Sequence, residues 1–282
     1  MGNASSPLKR LAYVSARRYI PPYPHRCTMA SSHAPIHNEK HQVMKKILIV
    51  AASILALSIL ILVVNYIVVE KSQSLISEGK PINQRTTKKQ AVLVIDIQEG
   101  TTGKSSTSDV FVKQSEALVG VVNRLIDSSA GHNIPVIYVK NEISNPLINI
   151  LNNSLAKGSP GAELDSRLRV VSAFIINKDK GDAFSNPLLD SILIRGDINK
   201  LVFTGLDLAR CVNSTILAAA NRHYDICLIS DALITKYPDS LRQDMFEKFK
   251  QRGFEVMSCE EYLQNLHRQK SGAESVLVTT LR

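Results

Sequence analysis

The stretch Ala91-Val92-Leu93-Val94-Ile95-Asp96-Ile97-Gln98 decides how this chain is read. Its first five residues are all apolar and three are β-branched. That is too short for a helix and too uniformly apolar for a sheet with one wet face. The run therefore reads as a strand buried on both sides, as in a parallel sheet. A carboxylate follows directly, where such a strand would leave the core.

The same pattern recurs outward from this strand. Apolar strands are predicted over 134–139, 170–176, 200–204 and 226–230, with a last short one over 254–257. Helical spacing marks 110–126, 188–194, 212–222 and 240–252. Strands alternating with helices imply an α/β fold. The expected architecture is three-layer α/β/α, with a mostly parallel, Rossmann-like sheet of five to six strands. This domain is expected over 90–266, followed by a polar tail over 267–282 in which 275–281 is a marginal extra strand. There is no internal repeat.

Before the domain, about 23 residues from Ile47 to Val69 carry no formal charge, enough to cross a bilayer as a helix. The run shows no amphipathic face, which argues against a buried core helix. It exceeds the usual apolar core of a signal peptide, and no clear small-residue cleavage site follows. An uncleaved, single-pass signal anchor over 46–69 is therefore expected, with a polar linker over 70–89. The basic segment before it leads to the expectation that the C-terminal domain lies on the extracytoplasmic side, although Lys71, Lys80, Arg85, Lys88 and Lys89 weaken the asymmetry. Residues 1–45 read as a basic, disordered tail. Met44-Lys45-Lys46 ahead of the apolar run resembles the start of an exported bacterial protein, so Met44 is a candidate true start. The opening Met-Gly-Asn-Ala-Ser-Ser also fits a myristoylation pattern, and the Arg/Ser-rich stretch a transit peptide.

The net charge of +9 is local. Residues 1–46 contribute about +7, so everything after them is nearly neutral. Nucleic-acid binding by the domain loses its electrostatic basis. The four cysteines, Cys27, Cys211, Cys227 and Cys259, form neither a CxxC pair nor a zinc spacing. No G-x-G-x-x-G or Walker sequence follows the first strand, which disfavours nucleotide binding.

Functional groups of an open parallel sheet gather at the carboxyl ends of its strands. Three residues fall there: Asp96 after the first strand, Lys178 after the third, and Cys211 at the start of the helix after the fourth. Singly they read as a turn residue, a solvated cation and a packed thiol. Together they supply a base, a cation and a nucleophile. A helix start and a nearby ammonium favour a thiolate, and a carboxylate can take its proton and later return it to a leaving amine.

These segments resemble the isochorismatase-like cysteine hydrolases, a family that includes nicotinamidases and carbamoyl-amide hydrolases. The matching pieces are Val92 through Gln98, Lys178 with Ala183-Phe184, and Thr204-Gly205 through Cys211-Val212-Asn213-Ser214-Thr215. Lys157 through Leu164 and Ser230-Asp231-Ala232 add to them. The resemblance covers roughly residues 90–263. It implies that Asp96 is the general base and acid, that Lys178 supports it, and that Cys211 attacks a carbonyl. It also implies a cis peptide between Leu206 and Asp207, an oxyanion hole from the backbone N–H groups of Asp207 and Cys211, and Gln98 and Phe184 as pocket candidates.

Departures from the family pattern narrow the expectation. The stretch after the second strand, Val139 through Pro146, contains no histidine, so a zinc-dependent nicotinamidase is disfavoured and neither metal nor cofactor is expected. The family's aromatic residue after Asp-x-Gln is replaced by Glu99-Gly100-Thr101-Thr102. Asp207 stands where small or apolar residues are common. Members without the cysteine cleave vinyl ethers, so Cys211 favours C–N hydrolysis. The expected activity is cleavage of a small amide, ureido or carbamoyl compound through a thioester. The rival is a catalytically idle domain of this fold that binds a ligand or partner at the membrane. Homo-oligomerisation follows from family habit, with no sign of the subunit number.

Overall fold

A computed structural model describes residues 35–83 and 88–268. The chain divides into two compact units, Met1–Ala56 and Leu57–Arg282. A helix, α1, runs over Pro35–Gln73. Over Glu39–Gln73 it is long and apolar enough to cross a membrane, and the most apolar window of that stretch is not buried against the rest of the chain. Leu48, Ile49 and Leu55 are each more than 60% exposed, so a role as a core helix is excluded. The helix begins twelve residues before the apolar run and continues past Val69. The rest of the basic tail and the marginal strand over 275–281 lie outside the described residues.

The domain is a six-stranded parallel sheet. Its strands are β1 (Gln90–Ile95), β2 (Val136–Asn141), β3 (Ile175–Lys178), β4 (Lys200–Gly205), β5 (Asp225–Leu233) and β6 (Glu255–Met257). Their spatial order is β3-β2-β1-β4-β5-β6. The order reverses between β1 and β4, and a crevice opens at such a switch point beyond the carboxyl ends of the strands. In register, Ile95 of β1 faces Gly205 of β4, and Asn141 of β2 faces Lys178 of β3.

The alternation in β1 explains the two-sided core. Ala91, Leu93 and Ile95 point into one apolar cluster, and Val92 and Val94 into the other. The second face is covered by α2 (Asp109–Gly131), whose Leu118, Val122, Leu125 and Ile126 recur at helical spacing. A helix over residues 259–268 joins it through Cys259, Tyr262 and Leu266. The first face is covered by α4 (Pro187–Arg195), α5 (Asn213–Asn221) and α6 (Asp239–Gln251). A short helix α3 (Pro146–Leu151) lies between β2 and β3. Each fully buried Leu or Ile of these faces contributes about 1.5–3 kcal/mol.

Two elements differ from expectation. The third strand was expected over 170–176 and forms only over Ile175–Lys178. Upstream of it the backbone is satisfied by side chains: Val171 N donates to the Tyr138 hydroxyl at 3.1 Å, which in turn donates to Arg169 O at 2.7 Å. The helix expected over 212–222 starts as a π-type turn over Leu208–Val212, and α5 proper begins at Asn213. Such turns are rare and occur frequently at functional sites.

Candidate active site

Asp96, Lys178 and Cys211 come together at the switch point. Asp96 leaves β1 with φ 56°, a left-handed conformation that Asp tolerates better than most residues. The turn is held by Asp96 N donating to Val139 O at 2.9 Å and by Thr101 Oγ1 donating to Asp96 O at 2.6 Å. Across the switch point, Gly205 has φ 111°, and a Cβ there would stand 2.0 Å from Ile95 O. Only glycine lets β4 pass this close to the end of β1.

Lys178 Nζ donates to Asp96 Oδ2 at 2.9 Å, with the lysine side chain fully buried and the aspartate 6% exposed. The other oxygen, Asp96 Oδ1, is buried and has no hydrogen-bond partner among the described residues. The half-buried Cys211 thiol is in electrostatic contact with both Asp96 and Lys178. Cys211 is itself braced: Thr215 Oγ1 donates to its carbonyl at 2.8 Å and accepts from Ala183 N at 3.1 Å. That hydroxyl ties the loop after Lys178 to the turn that carries the thiol.

Burial dominates the electrostatics. It raises the Asp96 carboxyl above its ordinary value, and the ammonium of Lys178 only partly offsets it. It also opposes charge on Lys178, but Asp96 and then Cys211 outweigh it, so the lysine stays protonated. The Cys211 thiol is pushed up to about 12 by burial, against the pull of Lys178. The sequence had led to the expectation of a thiolate favoured by helix start and cation. Burial instead moves the thiol upward, because desolvation of a buried anion outweighs the pull of one nearby cation. A proton acceptor is then needed at the moment of attack, and Asp96 Oδ1 is an open one.

The peptide between Leu206 and Asp207 is cis, as the resemblance implied. Asp207 is 7% exposed and caps the turn, its Oδ1 accepting from Ala209 N at 2.9 Å. Both pocket candidates, Gln98 and Phe184, are buried. Gln98 is fully buried, donating to Asn141 O and Ala162 O at 3.0 and 2.7 Å and accepting from Asn141 N at 2.8 Å. Its amide is committed to bracing two loops. Phe184 is 3% exposed and packs in the core beneath the Arg222 guanidinium, 4.3 Å from its ring centre.

The end of β2 does not fit a metal. Lys140 Nζ stands 2.9 Å from Glu163 and 3.7 Å from Glu142, so a cation already sits among the carboxylates. No group of three or more metal-ligating side chains occurs among the described residues.

A cavity of about 440 Å³ opens over Cys211, with Gly181, Arg210, Asn213 and Tyr237 on its walls. Another part of its wall comes from Glu70, Gln73, Ser74 and Ile76. Nothing in the sequence pattern pointed to those four, because they precede the domain by more than a dozen residues. Arg210 and Asn213 flank the cysteine and were within reach of sequence reasoning.

Comparison with known proteins agrees with this geometry. Residues 90–261 match the isochorismatase domain family. None of the curated proteins matches the chain. Among solved structures, the N-carbamoylsarcosine amidase of Thermoplasma acidophilum is 27% identical with a TM-score of 0.52, covering 61% of this chain and 96% of its own. A cysteine hydrolase of Pseudomonas syringae pv. phaseolicola is 21% identical with a TM-score of 0.57, over 67% of this chain and 99% of its own. An isochorismatase-like hydrolase of Alkaliphilus metalliredigens is 21% identical with a TM-score of 0.55, over 63% and 98%. The family match spans more than half of the sequence and the sheet order, cis peptide and buried Asp–Lys pair accompany it; the chain belongs to the isochorismatase family.

Proposed function

We propose that this protein is a membrane-anchored cysteine hydrolase that cleaves a C–N bond of a small amide, ureido or carbamoyl compound without a metal. The observation that carries the reading is the buried Asp96 carboxylate, with one oxygen held by Lys178 and the other, Oδ1, left without a conventional hydrogen bond while the carboxylate is in electrostatic contact with the Cys211 thiol. The amidase relative supports the C–N assignment.

The steps follow from those groups. As substrate enters, the Cys211 thiol gives its proton to Asp96, and sulfur attacks the carbonyl carbon. Lys178 keeps its charge and offsets the thiolate that forms as Asp96 becomes neutral. The developing oxyanion is received by the backbone N–H groups of Asp207 and Cys211, one such donor lowering the barrier by about 3 kcal/mol. The tetrahedral intermediate collapses with C–N cleavage, and Asp96 passes its proton to the departing nitrogen. A water then attacks the thioester, losing a proton to Asp96, and that proton returns to sulfur as the acid leaves.

The test is ammonia release by the full-length chain across a panel of small amides and ureido acids. Turnover by the native protein and none by Cys211→Ala supports the mechanism. Full turnover by Cys211→Ala on the same substrate sinks it.

A further inference from the structure

The apolar run ends at Val69, yet the chain does not go on as a free tether. Helix α1 continues to Gln73, and the residues after it lie across the catalytic loops. Glu70 Oε1 accepts from Arg210 Nη1 at 2.7 Å. Gln73 Nε2 donates to Asp179 O at 2.6 Å, and Ser77 N donates to the fully buried Asp182 carboxylate at 2.9 Å. Arg222 Nη1 reaches both Ser77 O and Ser77 Oγ at 3.2 Å, and Ile82 N donates to Arg222 O at 2.8 Å. The fit is close: a Cβ on Gly181 would stand 2.3 Å from Gln73 O.

Charge at the pocket follows from this docking. Among the residues around the cavity, Glu70 and Arg210 are the charged ones. Behind them, Asp96 offsets Lys178. The mouth beside Cys211 is therefore neutral only while Glu70 faces Arg210. Removing Glu70 leaves one uncompensated guanidinium next to the nucleophile. A carboxylate-bearing substrate would have to displace Glu70 from Arg210, whereas an uncharged amide would not.

We propose that the juxtamembrane segment is a wall of the Cys211 pocket, and that Glu70 is a specificity-determining residue selecting uncharged amide-type substrates over anionic ones. The substrate class rests on the hydrolase reading above; the charge selection does not. It is read by alkylating Cys211 in the full-length protein with iodoacetamide and iodoacetate in parallel, using mass spectrometry and the buried Cys227 and Cys259 as internal controls. The ratio of the two rates cancels any change in thiol basicity and leaves the charge preference of the mouth.

The native protein is expected to favour iodoacetamide. Glu70→Gln is expected to raise the iodoacetate-to-iodoacetamide ratio about fivefold, as one cation a few ångströms from the reagent would do near a solvated surface. Arg210→Gln is expected to lower it, and Glu70→Arg combined with Arg210→Glu to bring it back toward native. An unchanged ratio in both single variants overturns the proposal, as does a charge-swapped chain that keeps a single variant's ratio. Failure of both reagents to reach Cys211 overturns it too, because the pocket would then be closed. Shifted ratios on a chain that releases no ammonia from any small amide would count against the hydrolase reading alone.

Discussion

Replacing Lys178 with Met should expose the central balance of the site. The Lys178 side chain is fully buried against Asp96 at 2.9 Å, so the variant leaves a carboxylate in the interior without its cation. Breaking a buried pair from one side costs on the order of 3–5 kcal/mol. For a domain of this size that lowers the melting temperature by about 6–20 °C. The loss has a sign in pH. Asp96 already has a raised pKa in the folded protein, and losing Lys178 raises it further above the unfolded value. Between the two values the folded state holds more protons than the unfolded, so stability falls as pH rises and the deficit is partly relieved in acid. Melting curves of the native chain, Lys178→Met and the double variant Asp96→Asn/Lys178→Met at pH 5 and 8 measure this. The double variant should recover most of the lost stability and none of the activity. A loss under about 2 °C at pH 8 for the single variant, or one independent of pH, would refute the coupling.

Two further outcomes follow from the same geometry. Turnover should fall on the acid side as Asp96 becomes protonated before it can accept the thiol proton; since burial raises its pKa, the midpoint of a kcat/KM profile should lie above the ordinary carboxylate value of 3.8, and a midpoint below it would contradict the assignment. Gly205→Ala should destabilise the domain by roughly 3 kcal/mol, from a left-handed backbone and a methyl driven onto Ile95 O, read as a shift in the urea midpoint without a change in slope.

Much of the fold was legible because its strands are buried on both faces. A run such as Ala91 to Ile95 tolerates no polar residue on either side, so it stands out in the sequence, and the residues at its end are located with it. Lys178 and Cys211 were found in the same way, from the ends of β3 and β4. The edge strand β3 was read poorly because Val170, Val171 and Phe174, though apolar, are exposed, and the backbone N–H groups of Val171 and Phe174 donate to the Tyr138 and Ser172 hydroxyls. Side-chain roles were harder still. Gln98 and Phe184 lie at the right sequence positions for a pocket, but one amide is consumed by backbone and one ring by the core. The helix start and the lysine that favour a thiolate are visible in sequence, while the depth of burial that opposes it is not.

Glu70 is the sharpest instance of what sequence alone withholds. It stands 140 positions from Arg210, in a segment that composition marks as a tether, and only the folded chain brings it to the pocket. The consequence reaches how the enzyme should be handled. A soluble fragment beginning near residue 87 keeps the whole sheet together with Asp96, Lys178 and Cys211, yet it discards Glu70, Gln73, Ser74 and Ile76 from the cavity wall and takes one hydrogen-bond partner each from Arg210 and the buried Asp182. Such a fragment would present a wider, positively charged mouth, and its substrate preference would describe the truncation. Glu70 directly follows the last apolar residue of the run, so the helix that is long and apolar enough to cross a membrane runs without a break into the segment that lines the pocket.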